Sequence, residues 1–114
     1  MKVTIKLTTT GNRSGEPREV TLYAYEDDDR LVVVGSLGGA AKDPSWVRNL
    51  RAEPRATVHK GRAEHVVRAH EVKGKQRERL WKLVVGAFPL YAAYQRKTDR
   101  VIPLFALEPV PDND

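Results

Sequence analysis

Two glycine-containing loops carry the residues of this sequence that could do chemistry. The first, LTTTGNRSGEPREV, contains Gly11 and Gly15 together with Arg13 and Arg18. Glycine can adopt positive φ, which turns successive backbone N–H groups toward one point, and arginine adds positive charge beside them. Such a loop can hold a phosphate or a carboxylate, although a hairpin with solvated arginines has the same composition. The residues alone leave both interpretations open.

The second loop, SLGGAAKDP, separates an apolar stretch from a predicted helix. It contains Ser36, Gly38 and Gly39, and we expect Asp43 as the N-cap and Pro44 as the first residue of the helix. Free N–H groups and the helix dipole favour an anion at such a terminus, although Asp43 could satisfy the same donors. Neither a Walker A spacing nor a G-x-G-x-x-G motif is present, so the common nucleotide-binding motifs are excluded.

The remaining reactive side chains give weaker signals. The sequence has no cysteine, which excludes disulfides and thiolate chemistry. His65 and His70 fall on opposite faces of one predicted strand, so we expect no metal site. Tyr23, Tyr91 and Tyr94 are candidate proton donors, but tyrosines more often pack in cores or at barrel mouths.

Strand patterns dominate the elements that must position these residues. Alternating or continuous apolar residues predict six strands, which cover residues 3–7, 20–24, 31–35, 55–59, 64–72 and 102–107. Helical spacing predicts helices that begin at Pro44 and that cover 76–88 and 90–98. Because strands and helices do not alternate regularly, we expect a mainly β fold with helices (α+β), built as a small, partly open barrel of mostly antiparallel strands.

Length and charge limit the possible partners. The 114 residues fit one domain covering 1–114, and 20 Lys and Arg against 15 Asp and Glu favour anionic partners. Nucleic acid is disfavoured because the basic series 48–62 lacks interleaved aromatic residues for stacking. No signal peptide or membrane span is visible, so we expect a cytoplasmic protein. Leu90, Tyr91 and Tyr94 in a basic region leave weak peripheral contact with the inner face of the membrane as an alternative.

Three blocks of the sequence together resemble one known family: LTTTGNRSGEPREVTLY, VVGSLGGAAKDPSWVRNL and AFPLYAAYQRKTDRVIPLFALEP. With this order and spacing, the chain resembles the deazaflavin-dependent nitroreductase family of actinobacteria. The resemblance implies a split β-barrel like that of FMN-binding proteins. It also implies hydride transfer from reduced coenzyme F420 to a quinone, a nitroaromatic or a conjugated enone. The alternatives are a split barrel that binds FMN or haem, and a basic, non-catalytic binding module.

The resemblance also assigns site residues by position. The catalytic candidates are Tyr91, Ser36 and Tyr23, one of which would give a proton or a hydrogen bond to the substrate. The substrate-binding candidates are Phe88, Tyr91 and Tyr94. The cofactor-binding candidates are Asn12, Arg13, Ser14, Arg18, Glu19, Val20, Thr21, Leu22, Tyr23, Val34, Gly35, Ser36, Leu37, Trp46, Val47, Arg48, Asn49, Leu50 and Tyr91.

Three of these positions depart from the family pattern. Asn12 and Leu37 stand where many relatives have basic residues, and Phe88 stands where a tyrosine is common. The predicted partners are an anionic cofactor and a small-molecule substrate, on a monomer or a homodimer.

Overall fold

The computed structural model describes residues 2–111. Its helices and strands are β1 (Lys2–Thr10), β2 (Pro17–Asp27), β3 (Arg30–Val34), α1 (Ser45–Ala52), β4 (Arg55–Lys60), β5 (Ala63–Glu71), α2 (Gly74–Ala87), α3 (Leu90–Arg96) and β6 (Leu104–Pro109). The strands form a barrel in the order β1-β2-β3-β6-β5-β4, and every neighbouring pair is antiparallel. The predicted fold class is confirmed, and each strand pairs with two neighbours, although β2 and β3 pair over only part of their length.

Alternate residues of the strands fill the interior of the barrel. Ile5, Leu7, Val33 and Phe105 belong to this inner cluster, and Leu50 of α1 packs against it. Burying one such side chain stabilises the fold by about 1.5–3 kcal/mol. The amphipathic α1 therefore forms because its apolar side packs on the barrel core.

A second apolar cluster lies outside the barrel, where α2 and α3 pack. Val32 and Leu104 contribute to it from the strands, and Leu80, Val84 and Tyr91 contribute from the helices. β3 and β6 are therefore covered on both faces. This explains why their sequences are continuous apolar runs rather than alternating ones.

The start of α1 differs from the prediction. Pro44 is the N-cap and Ser45 is the first helical residue, and no side chain caps the helix. The carboxylate of Asp43 accepts hydrogen bonds from Arg51 at 2.9 Å and from Arg100 at 2.8 Å instead. The expected Asp43 cap was wrong because distant arginines bind that carboxylate in a charge-assisted pair.

β2 is covered unequally by its two neighbours. β1 pairs with it from Pro17 to Tyr25, whereas β3 pairs with it only from Ala24 to Asp27. In the described part of the chain, no strand covers the β3-side edge of residues 17–23. The barrel is split at this edge, which leaves backbone N–H and C=O groups available there.

The longest helix between residues 2 and 111 is α2, with 14 residues. None of the helices in that range has the length and apolar character that crossing a bilayer requires.

Candidate active site

A cleft of about 880 Å³ lies at the split of the barrel. The uncovered part of β2 forms one side, and the second loop with the start of α1 forms another. The α2–α3 junction completes the lining, which comprises Thr4, Val20, Thr21, Leu22, Tyr23, Val34, Ser36, Leu37, Gly38, Pro44, Ser45, Trp46, Phe88, Tyr91 and Tyr94. This volume is in the range of sites for small molecules and cofactors.

Four aromatic side chains form a continuous wall of the cleft. The ring centroids of Phe88 and Tyr91 are 4.9 Å apart, and Tyr23 lies 6.3 Å from Phe88. Tyr94 follows at 6.3 Å from Tyr91. Their edge-to-face packing fixes the rings in place, so the wall presents a rigid apolar surface to a flat ligand.

Two tyrosine hydroxyl groups form a hydrogen-bonded pair. The hydroxyl oxygens of Tyr91 and Tyr25 are 2.8 Å apart, and Tyr25 is fully buried. Burial raises the pKa of both phenols above the ordinary value. Both are therefore protonated at neutral pH. Tyr25 was missed by the sequence analysis, although its position two residues after Tyr23 places both on the outer face of β2.

Several hydroxyl groups in the cleft have no partner in the described structure. Ser36 is 9% exposed, and its side chain makes no hydrogen bond with residues 2–111. Thr21 and Ser45 also line the cleft, and their side chains make no hydrogen bond within residues 2–111 either. The amides of Ser45 and Trp46 precede the first intrahelical bond, which Val47 donates to Pro44. These groups are available to a ligand.

Arg100 holds the second loop in shape. Its guanidinium donates to the carbonyl oxygens of Gly35, Ser36 and Ala40 at 2.8–3.0 Å, and to the carboxylate of Asp43. The loop thereby keeps Ser36 at the cleft. The sequence analysis missed Arg100, because nothing in its local sequence distinguishes it from a surface arginine.

In the first loop, three backbone amides are bonded within the protein. Gly15 has a φ of +74°, whereas Gly11 is not in the positive-φ region. The Gly11 amide donates to Glu16 and the Gly15 amide donates to Gly11, each at 2.8 Å. The Asn12 amide donates to the side chain of Asn49 at 2.9 Å. These three amides are occupied within the protein and are not available to an anion.

The structure divides the predicted site residues into two groups. Those that line the cleft are Val20, Thr21, Leu22, Tyr23, Val34, Ser36, Leu37, Trp46, Phe88, Tyr91 and Tyr94. Those that do not line it are Asn12, Arg13, Ser14, Arg18, Glu19, Gly35, Val47, Arg48, Asn49 and Leu50. Lining residues absent from the prediction are Thr4, Gly38, Pro44 and Ser45. Thr4 pairs with Tyr23 across β1 and β2, which no sequence pattern reveals.

The buried members of the second group support the site from below. Val47 and Leu50 belong to the barrel core. Asn49 is 3% exposed, and its amide nitrogen donates to the hydroxyl of Thr9 at 3.0 Å. Through Thr9 and the Asn12 amide, Asn49 ties the first loop to α1. No group of three or more histidine or acidic side chains that could hold a metal occurs within residues 2–111.

The profile of the F420H(2)-dependent quinone reductase family matches residues 1–109. The chain belongs to this family. It is thus an F420-dependent oxidoreductase, and coenzyme F420 is its cofactor. The predicted enzyme class and cofactor are confirmed, with quinone reductase rather than nitroreductase as the family's description.

Individual relatives support this family assignment. An F420H(2)-dependent quinone reductase of Mycobacterium tuberculosis is 34% identical over 104 residues, which cover 89% of this chain and 70% of that protein. The structure of an F420-H2 dependent reductase, FDR-A, is 43% identical, with a TM-score of 0.84 and coverage of 92% of this chain and 93% of that one.

Two further structures are similar to this chain. One is of a dimeric relative, and the other is of a protein with a dissimilar sequence and the same fold. A structure described as a domain-swapped dimer is also 43% identical, with a TM-score of 0.85, and the match covers 92% of this chain and 79% of that one. The haem storage protein HutZ of Vibrio cholerae has a TM-score of 0.73 at 14% identity, over 95% of this chain and 82% of that one. It shares the fold alone.

The cleft fits the coenzyme of the quinone reductase family. A deazaflavin is a flat ring system with an amide-like edge, and the uncovered strand edge beside Thr21 and Tyr23 offers backbone groups of matching kind. The coenzyme also carries a phosphate, and free amides at the start of α1 with the Ser36 hydroxyl are suitable donors for one. The donor set and volume of the cleft are thus compatible with F420.

Proposed function

We propose that this chain binds reduced coenzyme F420 in the cleft and uses it to reduce a quinone bound beside the aromatic wall. When bound, the coenzyme supplies the hydride. The observation that carries the proposal is the cleft at the split of the barrel, where an uncovered strand edge faces free hydroxyl and amide groups. A rigid barrel holds these groups in place, so binding does not need a large rearrangement.

The polar groups of the cleft orient the coenzyme. In this proposal the backbone of β2 near Thr21 and Tyr23 binds the edge of the ring, and Trp46 closes the opposite side. Ser36 and the first amides of α1 bind the phosphate. Coenzyme F420 also carries an oligoglutamate tail. Arg13 is exposed, and no ion pair forms between it and the residues described here, so its charge is available to the carboxylates of that tail.

Arg18 is the less available cation of the first loop. Its guanidinium contacts Glu16 at 3.4 Å and the hydroxyl of Ser14 at 3.3 Å. We therefore assign the larger share of tail binding to Arg13.

The aromatic wall binds the quinone. Phe88 and Tyr94 supply apolar contact, and a hydroxyl from Tyr91, Tyr23 or Ser36 faces the oxygen that becomes negative as the hydride arrives. The quinone gains a hydride and a proton in total and becomes a hydroquinone. Hydrogen-bond donors that the fold holds in place stabilise the developing anion more than water does. The carbonyl oxygen of an enone or the oxygens of a nitroaromatic would use the same donors.

The proposal is tested by titrating the protein with F420 and separately with FMN, followed by fluorescence. We expect tighter binding of F420, weakened several-fold by Arg13→Ala and less by Arg18→Ala. Arg62→Ala is the matched control, because Arg62 lies in the exposed turn between β4 and β5. Turnover is then measured with reduced F420 and a water-soluble naphthoquinone. A preference for FMN, or no turnover of the quinone, contradicts the proposal.

We further propose that the chain forms a homodimer, which is supported by the relative described as a domain-swapped dimer. Analytical ultracentrifugation at several protein concentrations tests it, and a single monomeric species would contradict it. Peripheral contact of this protein with a membrane stays a prediction, which co-sedimentation with anionic vesicles tests.

A further inference from the structure

We propose that Asn49 is a positioning residue for the coenzyme, which fixes residues 11–16 of the first loop against α1 without touching the ligand itself. Arg13 in this segment is the proposed cation for the tail, and the first amides of α1 are the proposed donors for the phosphate. The inference rests on the proposed function for these two roles, whereas the bond between the loop and the helix is a property of the protein alone.

The side chain of Asn49 is buried and bonded at both of its polar atoms. It is 3% exposed and does not line the cleft. Its oxygen accepts a hydrogen bond from the backbone amide of Asn12 at 2.9 Å, and its nitrogen donates to the hydroxyl of Thr9 at 3.0 Å. Thr9 is itself 2% exposed. Because Asn49 is buried and away from the lining, it is placed to hold the protein rather than the ligand.

The bond from Asn12 is the link between this segment of the first loop and α1. Within residues 2–111, it is the only hydrogen bond that joins residues 11–16 to α1. The other two backbone bonds of the segment join its own residues to one another. Those local bonds close the loop on itself but do not fix it against the helix. Asn49 on α1 therefore determines where the segment that carries Arg13 lies.

The position of this segment matters because the phosphate and the tail belong to one molecule. A ligand that is bound at two places gains fully from both only when the protein holds them at the matching separation. Arg13 follows Asn12 directly in the chain, so a fixed Asn12 backbone restricts the range of its side chain. Such preorganisation lowers the entropy cost of binding. Asn49 thereby raises the affinity for the coenzyme through its tail.

A double-mutant cycle on coenzyme binding tests the proposal. Asn49→Ala should raise the Kd for F420 about threefold, because the loop loses the bond that holds it. In the double variant Asn49→Ala/Arg13→Ala, the Kd should be no higher than in Arg13→Ala, because Asn49 acts through Arg13. Additive losses would show that Asn49 affects the coenzyme by another route, and they overturn the proposal.

Thr9→Val is the matched control for a loss of stability. Valine is close to threonine in size but removes the acceptor of the Asn49 amide nitrogen, so Thr9→Val and Asn49→Ala should both lower the urea midpoint. Thr9→Val retains the acceptor of the Asn12 amide, so its Kd for F420 should rise less than that of Asn49→Ala. Equal rises in Kd would show that affinity follows stability alone, which contradicts the positioning role.

Hydrogen exchange without ligand separates this inference from the proposed function. The amide of Asn12, followed by NMR, should exchange about tenfold faster or more in Asn49→Ala than in the wild type, because its acceptor is gone. In Thr9→Val the exchange should stay closer to that of the wild type. Equal exchange in all three proteins overturns the inference. If the wild type does not bind F420, the proposed function fails, but the exchange rates still decide whether Asn49 holds the loop.

Discussion

At the scale of single residues, the cleft depends on hydroxyl groups that the protein itself leaves unpaired. Ser36→Ala removes one of them without breaking a bond between described residues. We expect the Kd for F420 to rise about fivefold, which corresponds to about 1 kcal/mol. Tm should stay within a degree or so of the wild type, since the hydroxyl makes no hydrogen bond with described residues that could be lost. Fluorescence titration and a thermal scan measure the two effects.

The control for Ser36→Ala is Thr57→Ala, because Thr57 lies on β4 and does not line the cleft. It should leave the Kd unchanged. Equal loss of affinity in both variants, or no loss in Ser36→Ala, would show that Ser36 does not bind the coenzyme.

The buried phenols make stability depend on alkaline pH. Burial raises the pKa of Tyr25 and of Tyr91 above the ordinary value of about 10. As pH rises beyond about 10, the unfolded chain loses these protons while the folded protein retains them, so the free energy of unfolding falls until the folded pKa is reached. Urea midpoints at pH 9 and pH 11 should differ less in Tyr25→Phe/Tyr91→Phe than in the wild type. An identical loss in both proteins would contradict this.

Some of these site residues could be predicted from the sequence, and others could not for a physical reason. Ser36, Tyr23 and Tyr91 were predicted as site residues and all three line the cleft. Tyr25 was not, because its bond to Tyr91 joins residues 66 apart and depends on how α3 sits on β2. Such a relation arises from packing, which local patterns do not record.

At the scale of elements, the loop between β3 and α1 depends on one arginine from the segment after α3. Arg100→Ala removes donors to three carbonyl groups and to Asp43. We expect a loss of about 2–4 kcal/mol in the free energy of unfolding, because the side chain is mostly buried and its acceptors lose their partner. The Kd for F420 should also rise, since Ser36 is no longer fixed.

Arg96→Ala is the matched control for Arg100→Ala. Arg96 is exposed at the end of α3, and no hydrogen bond to its side chain is found in residues 2–111. Chemical denaturation and F420 titration of both variants separate the loss of a charge from the loss of the loop contacts. Equal effects in the two variants would show that Arg100 acts through charge alone.

Helix and strand identities were predictable because they follow local periodicity, but the ends of elements were less so. The break between α2 and α3 was predicted from Pro89, which is the N-cap of α3. The cap of α1 was wrong because Asp43 binds Arg51 and Arg100, which come from later in the chain.

At the scale of the whole molecule, the positive charge matters for a cofactor with several carboxylates. The net charge is +5, and Arg13 is among the exposed cations. We expect the Kd for F420 to rise several-fold between 50 and 300 mM NaCl, because salt screens exposed charges over distances of about 10 Å or more. Binding of FMN, which has no such tail, should change less. Arg13→Ala should reduce the salt dependence and Arg62→Ala should not; a Kd independent of salt would contradict tail binding by charge.

The barrel as a whole was predictable from the order of its strands and helices, because irregular alternation excludes a parallel sheet. The position of the split was not predictable. It depends on where β3 stops pairing with β2, and the apolar pattern of β2 runs through that point without a break.

The unequal lengths of β2 and β3, 11 and 5 residues, separate two evolutionary constraints. The cleft exists because β2 extends beyond the end of β3, and not because side chains are missing from the core. Substitutions that reshape the cleft therefore need not empty the barrel, and substitutions that repack the barrel need not close the cleft. Residues around the cleft can thus change and bind new ligands, while the residues of the barrel core are selected separately for folding.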